Sequence, residues 1–272
     1  MAYRDFARPA IVERAHSTQS WLDWLDEQGE TLVPVAPRHP LSCERCYGSS
    51  SYREAGNAWP VCWQCRTYGD AVDALVPITY SLDAGLESML HRYKDRNVNW
   101  LRMPLASLLT LFVGKHADCI EGVSGGVDLA TLIPSGNPSR PFDHLGNLLR
   151  DVVANDPVLD IFNWRLDAIA RDRSTTRPGR GELKPEAYST NPHVVGGASV
   201  LLLDDTWTSG SSAASAAAAL KAAGARHVTV VTLGRQLNIG NNFGSTRAIY
   251  DEQRTARWIL DDCVLCARAH GR

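Results

Sequence analysis

Two acidic residues and a hydroxyl-rich turn, placed directly after an apolar run, form the part of this sequence best suited to chemistry. Residues 200–212 have the sequence VLLLDDTWTSGSS. The turn comprises Thr208, Ser209, Gly210, Ser211 and Ser212. At the start of a helix such a turn offers backbone N–H groups, hydroxyl donors and the positive end of the helix dipole, and its glycine allows a ligand to approach closely. We therefore predict that this turn binds a phosphate monoester.

The acid pair before the turn, Asp204 and Asp205, must face a different part of the same ligand. Carboxylates beside a phosphate would repel it, so we expect them to point at groups that donate hydrogen bonds or carry positive charge. Ribose hydroxyls or a magnesium ion would satisfy them. The alternative interpretation is a plain strand end followed by a helix cap. The occurrence of all these parts in order favours a ligand site.

Four cysteines in two C-x2-C pairs predict a metal site in the N-terminal part of the chain. They are Cys43, Cys46, Cys62 and Cys65. Fifteen residues separate the two pairs, which is typical of two knuckles that close on one tetrahedral ion. Four thiolates leave no open position, so the predicted zinc is structural, with reduced cysteines in a core as the alternative. For a third pair, Cys263 and Cys266, an apolar helical stripe favours core packing over metal binding.

The composition is that of an ordinary soluble globular protein and excludes several functions. The 272 residues include 28 Lys and Arg against 30 Asp and Glu, and this net charge of −2 does not favour coating of a duplex. The longest apolar stretch, residues 105–113, is about half of the ~20 residues that cross a bilayer. The first residues lack the pattern of an export signal. We therefore expect a cytoplasmic protein without a membrane segment.

Alternating apolar runs and helical stretches predict the elements that position these groups. Apolar runs at residues 128–133, 199–203 and 227–233 indicate strands, and the last two are continuous, as in strands buried on both faces. An alanine-rich helix that ends near Gly224 joins those two strands into a βαβ unit. The predicted fold class is therefore α/β, with a Rossmann-like parallel sheet.

The chain divides into four predicted segments. These are an N-terminal helical segment (1–33), a zinc-ribbon-like module (34–70), a helical connector packed on the core (71–119) and the α/β domain with a C-terminal helix (120–272). Within them, apolar stripes predict helices near residues 20–27, 81–95 and 103–113.

Residues 204–212 resemble the phosphoribosyl pyrophosphate (PRPP) signature of type I phosphoribosyltransferases. That signature has two acids, two variable residues and then Thr-Thr-Gly-x-Thr. Ser209 and Ser212 keep the hydroxyl group, and Trp207 is bulkier than the residue usual at its position. Together with the cysteine module and the HRYKD stretch at residues 91–95, the signature resembles the ComF family over roughly residues 41–233.

The resemblance implies a type I phosphoribosyltransferase fold and transfer of the phosphoribosyl group of PRPP to a nitrogen nucleophile. It assigns the 5-phosphate to residues 208–212, the ribose hydroxyls to Asp204 and Asp205, and magnesium to the pyrophosphate. The implied pyrophosphate loop comprises Ser135, Gly136, Asn137 and Arg140. A plain surface loop is the alternative there. A basic stretch at residues 165–184 either closes over the site or is a solvated loop.

A catalytically silent protein is the alternative function, either a PRPP sensor or an accessory of DNA uptake. Its zinc module would then meet single-stranded DNA or a protein. Residues 38–70 carry a net charge of only +1, which is a poor electrostatic footprint for nucleic acid. We expect their aromatic side chains to form a small core within the module. The acceptor nucleophile is left open, since variable loops recognise it.

Overall fold

A four-stranded parallel β-sheet forms the centre of the protein. The computed structural model describes residues 3–9, 18–54, 56–135, 143–155, 160–241 and 243–269. Their strands are β1 (Tyr52–Glu54), β2 (Asn57–Ala58), β3 (Ala74–Ser81), β4 (Leu129–Leu132), β5 (Ile169–Arg171), β6 (Tyr188–Thr190), β7 (Ser199–Trp207) and β8 (His227–Gln236). The central sheet has the order β3-β8-β7-β4 with every pair parallel, and two antiparallel pairs, β1-β2 and β5-β6, lie outside it.

Helices pack against this sheet and against one another. They are α1 (Thr18–Asp26), α2 (Trp63–Tyr68), α3 (Leu86–Arg96), α4 (Arg102–Ser124), α5 (His144–Asn155), α6 (Pro192–Val195), α7 (Ser211–Ala222), α8 (Thr246–Gln253) and α9 (Val264–Ala269). Both α4 and α7 contact β8, and α1 packs on α4. Among the described helices, none is both long and apolar enough to cross a membrane.

The predicted βαβ unit is confirmed as β7, α7 and β8. The first five residues of β7 are buried, as are all residues of β8 except its two ends. Both strands are therefore the apolar runs expected where helices cover a parallel sheet. The small side chains of α7 let it pack closely, and Gly224 follows it with a φ of +100°. The third predicted strand is also present, as β4.

The segment predicted as a helical connector also supplies an edge strand of the sheet. β3 pairs with β8 from Ala74 to Ser81, and all its residues after Ala74 are buried. Pro77 lies within this strand, which is tolerated because an edge strand has one side that needs no backbone donor. The helix predicted over residues 81–95 begins only at Leu86, because Ser81 still belongs to the ladder.

The cysteine module packs onto the sheet and shares its core. Its four cysteines are buried in the same apolar cluster as the leucines of β7. The prediction of an aromatic core within the module is right for Tyr47 and Tyr68, which are buried. It is wrong for three other aromatic residues, which are exposed: Tyr52, Trp59 and Trp63. The predicted fold class is confirmed: a parallel α/β sheet with a buried four-cysteine cluster in the N-terminal part.

Candidate functional site

A cavity of about 170 Å³ lies beyond β4 and along the last residues of β7. In parallel α/β sheets, ligands bind in the crevice outside the carboxyl ends of the strands. The cavity is lined by the acid pair, by all five residues of the hydroxyl-rich turn, and by the charged side chains of Glu87, Lys94 and Arg177. The structure thus brings the residues predicted for phosphate and sugar together around one space.

Gly210 gives the hydroxyl-rich turn its shape. Its φ of +83° lies in the left-handed region, where a side chain is strained, and it immediately precedes α7. A Cβ atom at this position would collide with the indole ring of Trp207. That indole is buried, points into the core and stands edge-on to Tyr68, with ring centroids 6.5 Å apart. The indole of Trp207, the bulky residue noted in the sequence, therefore packs against the core side of the turn.

The first turn of α7 presents backbone donors to the cavity. The first hydrogen bond of the helix runs from the N–H of Ala214 to the carbonyl of Gly210, at 2.8 Å. The N–H groups of Ser212 and Ala213 come before it, and both residues line the cavity. Such groups, together with the helix dipole, attract an anion. This arrangement suits a phosphate group.

Two hydroxyl groups of the turn hold it in place. Ser211 Oγ accepts a hydrogen bond from the N–H of Gly181 at 2.9 Å and lies 3.0 Å from Ser209 Oγ. The hydroxyl of Tyr68 donates to the carbonyl of Ser209 at 2.8 Å. Thr208, by contrast, is exposed at the cavity. The turn is therefore fixed from two sides before any ligand arrives.

Asp205 is the centre of a buried ion network. Its Oδ2 lies 2.8 Å from Lys94 Nζ and 2.5 Å from His144 Nε2. Burial opposes its charge, but Lys94 and His144 outweigh burial and hold the pKa of Asp205 well below its ordinary value. Asp205 is therefore ionised throughout the physiological range, and its position is set by α3 and α5.

Asp204 has the opposite electrostatic environment. Burial, reinforced by the charge of Asp205, raises the pKa of Asp204 to about 7. Its Oδ1 accepts the backbone N–H of Asp205 at 2.9 Å. Two adjacent carboxyls are thus driven apart in pKa by their surroundings, which is common at functional sites. Asp204 can accept or donate a hydrogen bond near neutral pH.

Two buried hydroxyl oxygens beside the cavity lack hydrogen-bond partners among the described residues. They are Ser135 Oγ and Thr206 Oγ1, and both residues line the cavity. A buried polar atom without a partner calls for an explanation, and a ligand in this cavity would supply the missing partner of both hydroxyls. Ser135 is the first residue of the predicted pyrophosphate loop. Gly136, Asn137 and Arg140 lie outside the described residues.

Four charged or titratable residues of the site were not singled out for it from the sequence. Lys94 had a weak signal, because it lies in the HRYKD stretch, and Arg177 lies in the basic stretch. His144 has no ligand spacing in the sequence and carried no signal, and the structure buries it against Asp205. Glu87 carried no signal, and burial raises its pKa.

The four cysteines of the N-terminal module come together as predicted. Their sulfur atoms all lie within 4.8 Å of one another, and Cys46 Sγ and Cys62 Sγ are 3.8 Å apart. A tetrahedron with Zn–S bonds of about 2.3 Å has edges of about 3.8 Å. The N–H of Cys62 donates to Cys43 Sγ at 3.3 Å. These residues fit a structural zinc ion.

Arg235 connects the cysteine cluster to the hydroxyl-rich turn. Its buried guanidinium donates to the carbonyl of Cys46 at 2.8 Å and lies 3.4 Å from Cys46 Sγ. The same group donates to the carbonyls of Trp207 and Thr208 at 3.1 and 3.2 Å. The shape of the turn therefore depends on the cysteine module through Arg235, as it does through Tyr68.

Two larger clefts open elsewhere among the described residues. One, of about 610 Å³, runs under the cysteine module from Glu44 to Leu265, and the other, of about 390 Å³, lies between the Pro34–Pro40 segment and Trp258. Neither lining includes the acid pair or the hydroxyl-rich turn. The smaller polar cavity is the candidate site, because the hydroxyl-rich turn and two carboxyls with strongly shifted pKa values converge on it.

Comparison with known proteins finds little similarity. No family model matches the chain, and no curated protein matches it. Among solved structures, one described as the allosteric regulatory enzyme of purine biosynthesis is similar at a TM-score of 0.28 and 18% identity, over 46% of this chain and 25% of that one. The matched part of this chain thus spans about a quarter of that enzyme's length. So low a TM-score supports no assignment of function. A functional proposal for this chain therefore depends on the geometry of the site.

Proposed function

We propose that this chain binds PRPP as its magnesium complex and transfers the phosphoribosyl group to a nitrogen nucleophile, as a ComF-like phosphoribosyltransferase. One observation carries the proposal: a helix N-terminus with its hydroxyl-rich turn, an acid pair and two cations, Lys94 and Arg177, all face the same cavity. PRPP has a phosphate at one end, a sugar in the middle and pyrophosphate on C1. The charges of the cavity complement each of these parts.

The 5-phosphate would bind at the start of α7. The N–H groups of Ser212 and Ala213 and the hydroxyl of Thr208 supply donors, and the helix dipole adds favourable charge. Gly210 gives the turn the left-handed backbone conformation from which α7 begins. The ribose hydroxyls would then lie against Asp204, whose pKa of about 7 lets it accept their hydrogen bonds.

In the reaction, the bond between ribose C1 and pyrophosphate breaks, and its electron pair leaves on the pyrophosphate. The lone pair of the acceptor nitrogen forms the new bond to C1, and the nitrogen gives up a proton to water or to the released pyrophosphate. Positive charge develops on the sugar ring in such displacements. Asp205 stays ionised because Lys94 and His144 hold its pKa down, so its negative charge stabilises that ring.

The leaving pyrophosphate would be met by Arg177 and by the hydroxyl of Ser135, which has no hydrogen-bond partner among the described residues. Magnesium, bound with the substrate, would neutralise part of the pyrophosphate charge. The zinc held by the four cysteines would have a structural role, since it fixes the module from which Tyr68 and Cys46 contact the turn and Arg235.

The test is release of pyrophosphate. Purified chain is incubated with PRPP, magnesium and a panel of purine, pyrimidine and amine acceptors, and Ser212→Asp serves as the matched control because its added charge repels the 5-phosphate. We expect acceptor-dependent release from the wild type and none from the variant. Absence of release with every acceptor, or equal release from both proteins, would remove the proposal of a transferase.

A PRPP sensor without turnover is the second candidate. It is favoured by one observation: the Asp205 carboxylate, which would otherwise face the ligand, is already bound by Lys94 and His144. Its accessory partner would meet the exposed aromatic side chains of the cysteine module, where Arg53 and Arg66 both lie 5.3 Å from the ring centre of Trp59. Measurable PRPP affinity without pyrophosphate release would support this candidate over the transferase.

A further inference from the structure

A second group of metal-ligating side chains lies where α9 packs against α4. It comprises His116, Cys119, Cys263 and Cys266, whose ligand atoms all lie within 4.8 Å of one another. Core packing was the favoured prediction for Cys263 and Cys266. Cys263 is indeed buried, but Cys266 is half-buried and its thiol faces His116 and Cys119.

The distances within this group suit one ion. Cys266 Sγ lies 3.5 Å and Cys119 Sγ lies 3.9 Å from His116 Nδ1. Bonds of about 2.3 Å to sulfur and about 2.0 Å to nitrogen give a sulfur-to-nitrogen edge of about 3.5 Å in a tetrahedron. The sulfur of Cys266 lies 2.9 Å from that of Cys119 and 3.2 Å from that of Cys263. An ion would spread these sulfurs by less than about 1 Å to the tetrahedral edge.

His116 is held in the form that a metal ligand needs. Its Nε2 lies 2.8 Å from the carbonyl of Leu260. A carbonyl only accepts, so Nε2 carries the proton and Nδ1 presents its lone pair to the thiols, which is the usual outer hydrogen bond of a metal-bound histidine. The helix α4 departs from helical geometry at this residue, with φ −114° and ψ 16°.

The backbone around the second pair repeats a feature of the first cysteine site. The N–H of Cys266 donates to Cys263 Sγ at 3.3 Å, as the N–H of Cys62 donates to Cys43 Sγ at 3.3 Å. Such N–H to sulfur bonds stabilise the thiolate form. In the sequence, Cys263 and Cys266 form a C-x2-C pair, and His116 and Cys119 on α4 form an H-x2-C pair. Together the two pairs supply four ligands.

We propose that His116, Cys119, Cys263 and Cys266 bind a second zinc ion. Three thiolates and one imidazole in a tetrahedral arrangement select zinc among the common divalent ions, and four protein ligands make the site structural. The ion joins α9 to α4. A helix of six residues is too short to be stable alone, so the ion adds to the core packing of Val264 in holding α9 against α4. This proposal is independent of PRPP binding.

The test is the zinc content of the full chain, purified anaerobically without chelators and measured by native mass spectrometry. We expect two zinc ions per wild-type chain and one in both Cys266→Ser and His116→Ala. His116→Cys, which restores a fourth ligand, retains two. His227→Ala is the matched control, since this half-buried histidine bonds Thr229 outside both clusters, and it also retains two.

A chemical measurement on the wild-type protein keeps the proposal testable if a variant does not fold. Alkylation of Cys119, Cys263 and Cys266 should be at least about tenfold slower in the zinc-loaded protein than after chelation. The proposal is wrong if the wild type holds a single zinc that Cys43→Ser removes and Cys266→Ser leaves in place. It is equally wrong if these thiols react at the same rate before and after chelation, or if a disulfide joins two of them in the anaerobic protein.

Discussion

Replacing Gly210 by alanine tests whether the turn before α7 has the shape that the proposed phosphate site needs. Gly210 has a φ of +83°, and an added Cβ would collide with the buried indole of Trp207. The substitution therefore strains the backbone and also displaces a core side chain. Both effects occur within the turn whose N–H groups are proposed to hold the phosphate.

The expected magnitude follows from these two effects. The left-handed conformation costs a residue with a Cβ about 1–2 kcal/mol, and overpacking of a core costs about 1–3 kcal/mol. We expect Gly210→Ala to lower the free energy of unfolding by about 2–5 kcal/mol. Gly197 is the matched control: its φ is +76°, but no atom lies within 4 Å of an added Cβ. Gly197→Ala should therefore cost only the first contribution.

Urea unfolding of the three proteins measures the stability difference, and calorimetric titration with PRPP and magnesium measures binding. Gly210→Ala should weaken PRPP binding at least about tenfold, which is about 1.4 kcal/mol, whereas Gly197→Ala should bind as the wild type does. Equal stability losses in the two variants would refute the role of the indole contact. Unchanged PRPP affinity in Gly210→Ala would refute the role of the turn.

Three further predictions address the charges and the metal. Lys94→Met should lower the free energy of unfolding by about 3–5 kcal/mol, because it removes a partner of Asp205, whose side chain is only 13% exposed. Arg247→Gln, at an exposed ion pair, should cost less than about 1 kcal/mol by urea unfolding. Equal losses in the two variants would contradict this prediction. Burial raises the pKa of Asp204 to about 7, so its contribution to stability is full below about pH 4 and is lost as the pH rises to about 7. Asp204→Asn should therefore remove a decline in stability of up to about 4 kcal/mol between about pH 4 and pH 7, and an unchanged pH profile would contradict this. Removal of the zinc expected at the four cysteines should weaken PRPP affinity about tenfold, because Arg235 beside the turn then loses its fixed hydrogen-bond partner, the carbonyl of Cys46. Adding zinc back should restore the affinity. An affinity that does not change on chelation would contradict the dependence of the turn on the cysteine module.

The parts of the fold that depend on local sequence were predictable. The apolar run, the acid pair and Gly210 follow one another within β7 and the start of α7, so one stretch of sequence specifies a strand, a turn and a helix start. The four-cysteine cluster was equally predictable, because metal coordination requires its two pairs to meet. β3 was missed because Pro77 interrupts the pattern of a strand, and only its place at the edge of the sheet makes the proline acceptable.

The partners of these groups depend on packing between distant segments and could not be predicted. Lys94 and His144 reach Asp205 from α3 and α5, more than 60 residues before it in the chain. Arg235 joins the cysteine module to the turn across 189 residues. The second cysteine cluster could not be predicted for the same reason. The H-x2-C pair within α4 supplies only two ligands, and the other two reach it only because α9 packs beside α4.

Calorimetric titration of PRPP with magnesium into the wild type and Ser212→Asp tests the central claim most directly. Ser212 lies in the first turn of α7, where a carboxylate favours the helix but repels a phosphate. We predict that the wild type binds PRPP, and that the variant keeps its thermal stability while losing the binding. Equal affinity in the two proteins, or no binding to the wild type, would contradict the assignment of this turn as the phosphate site.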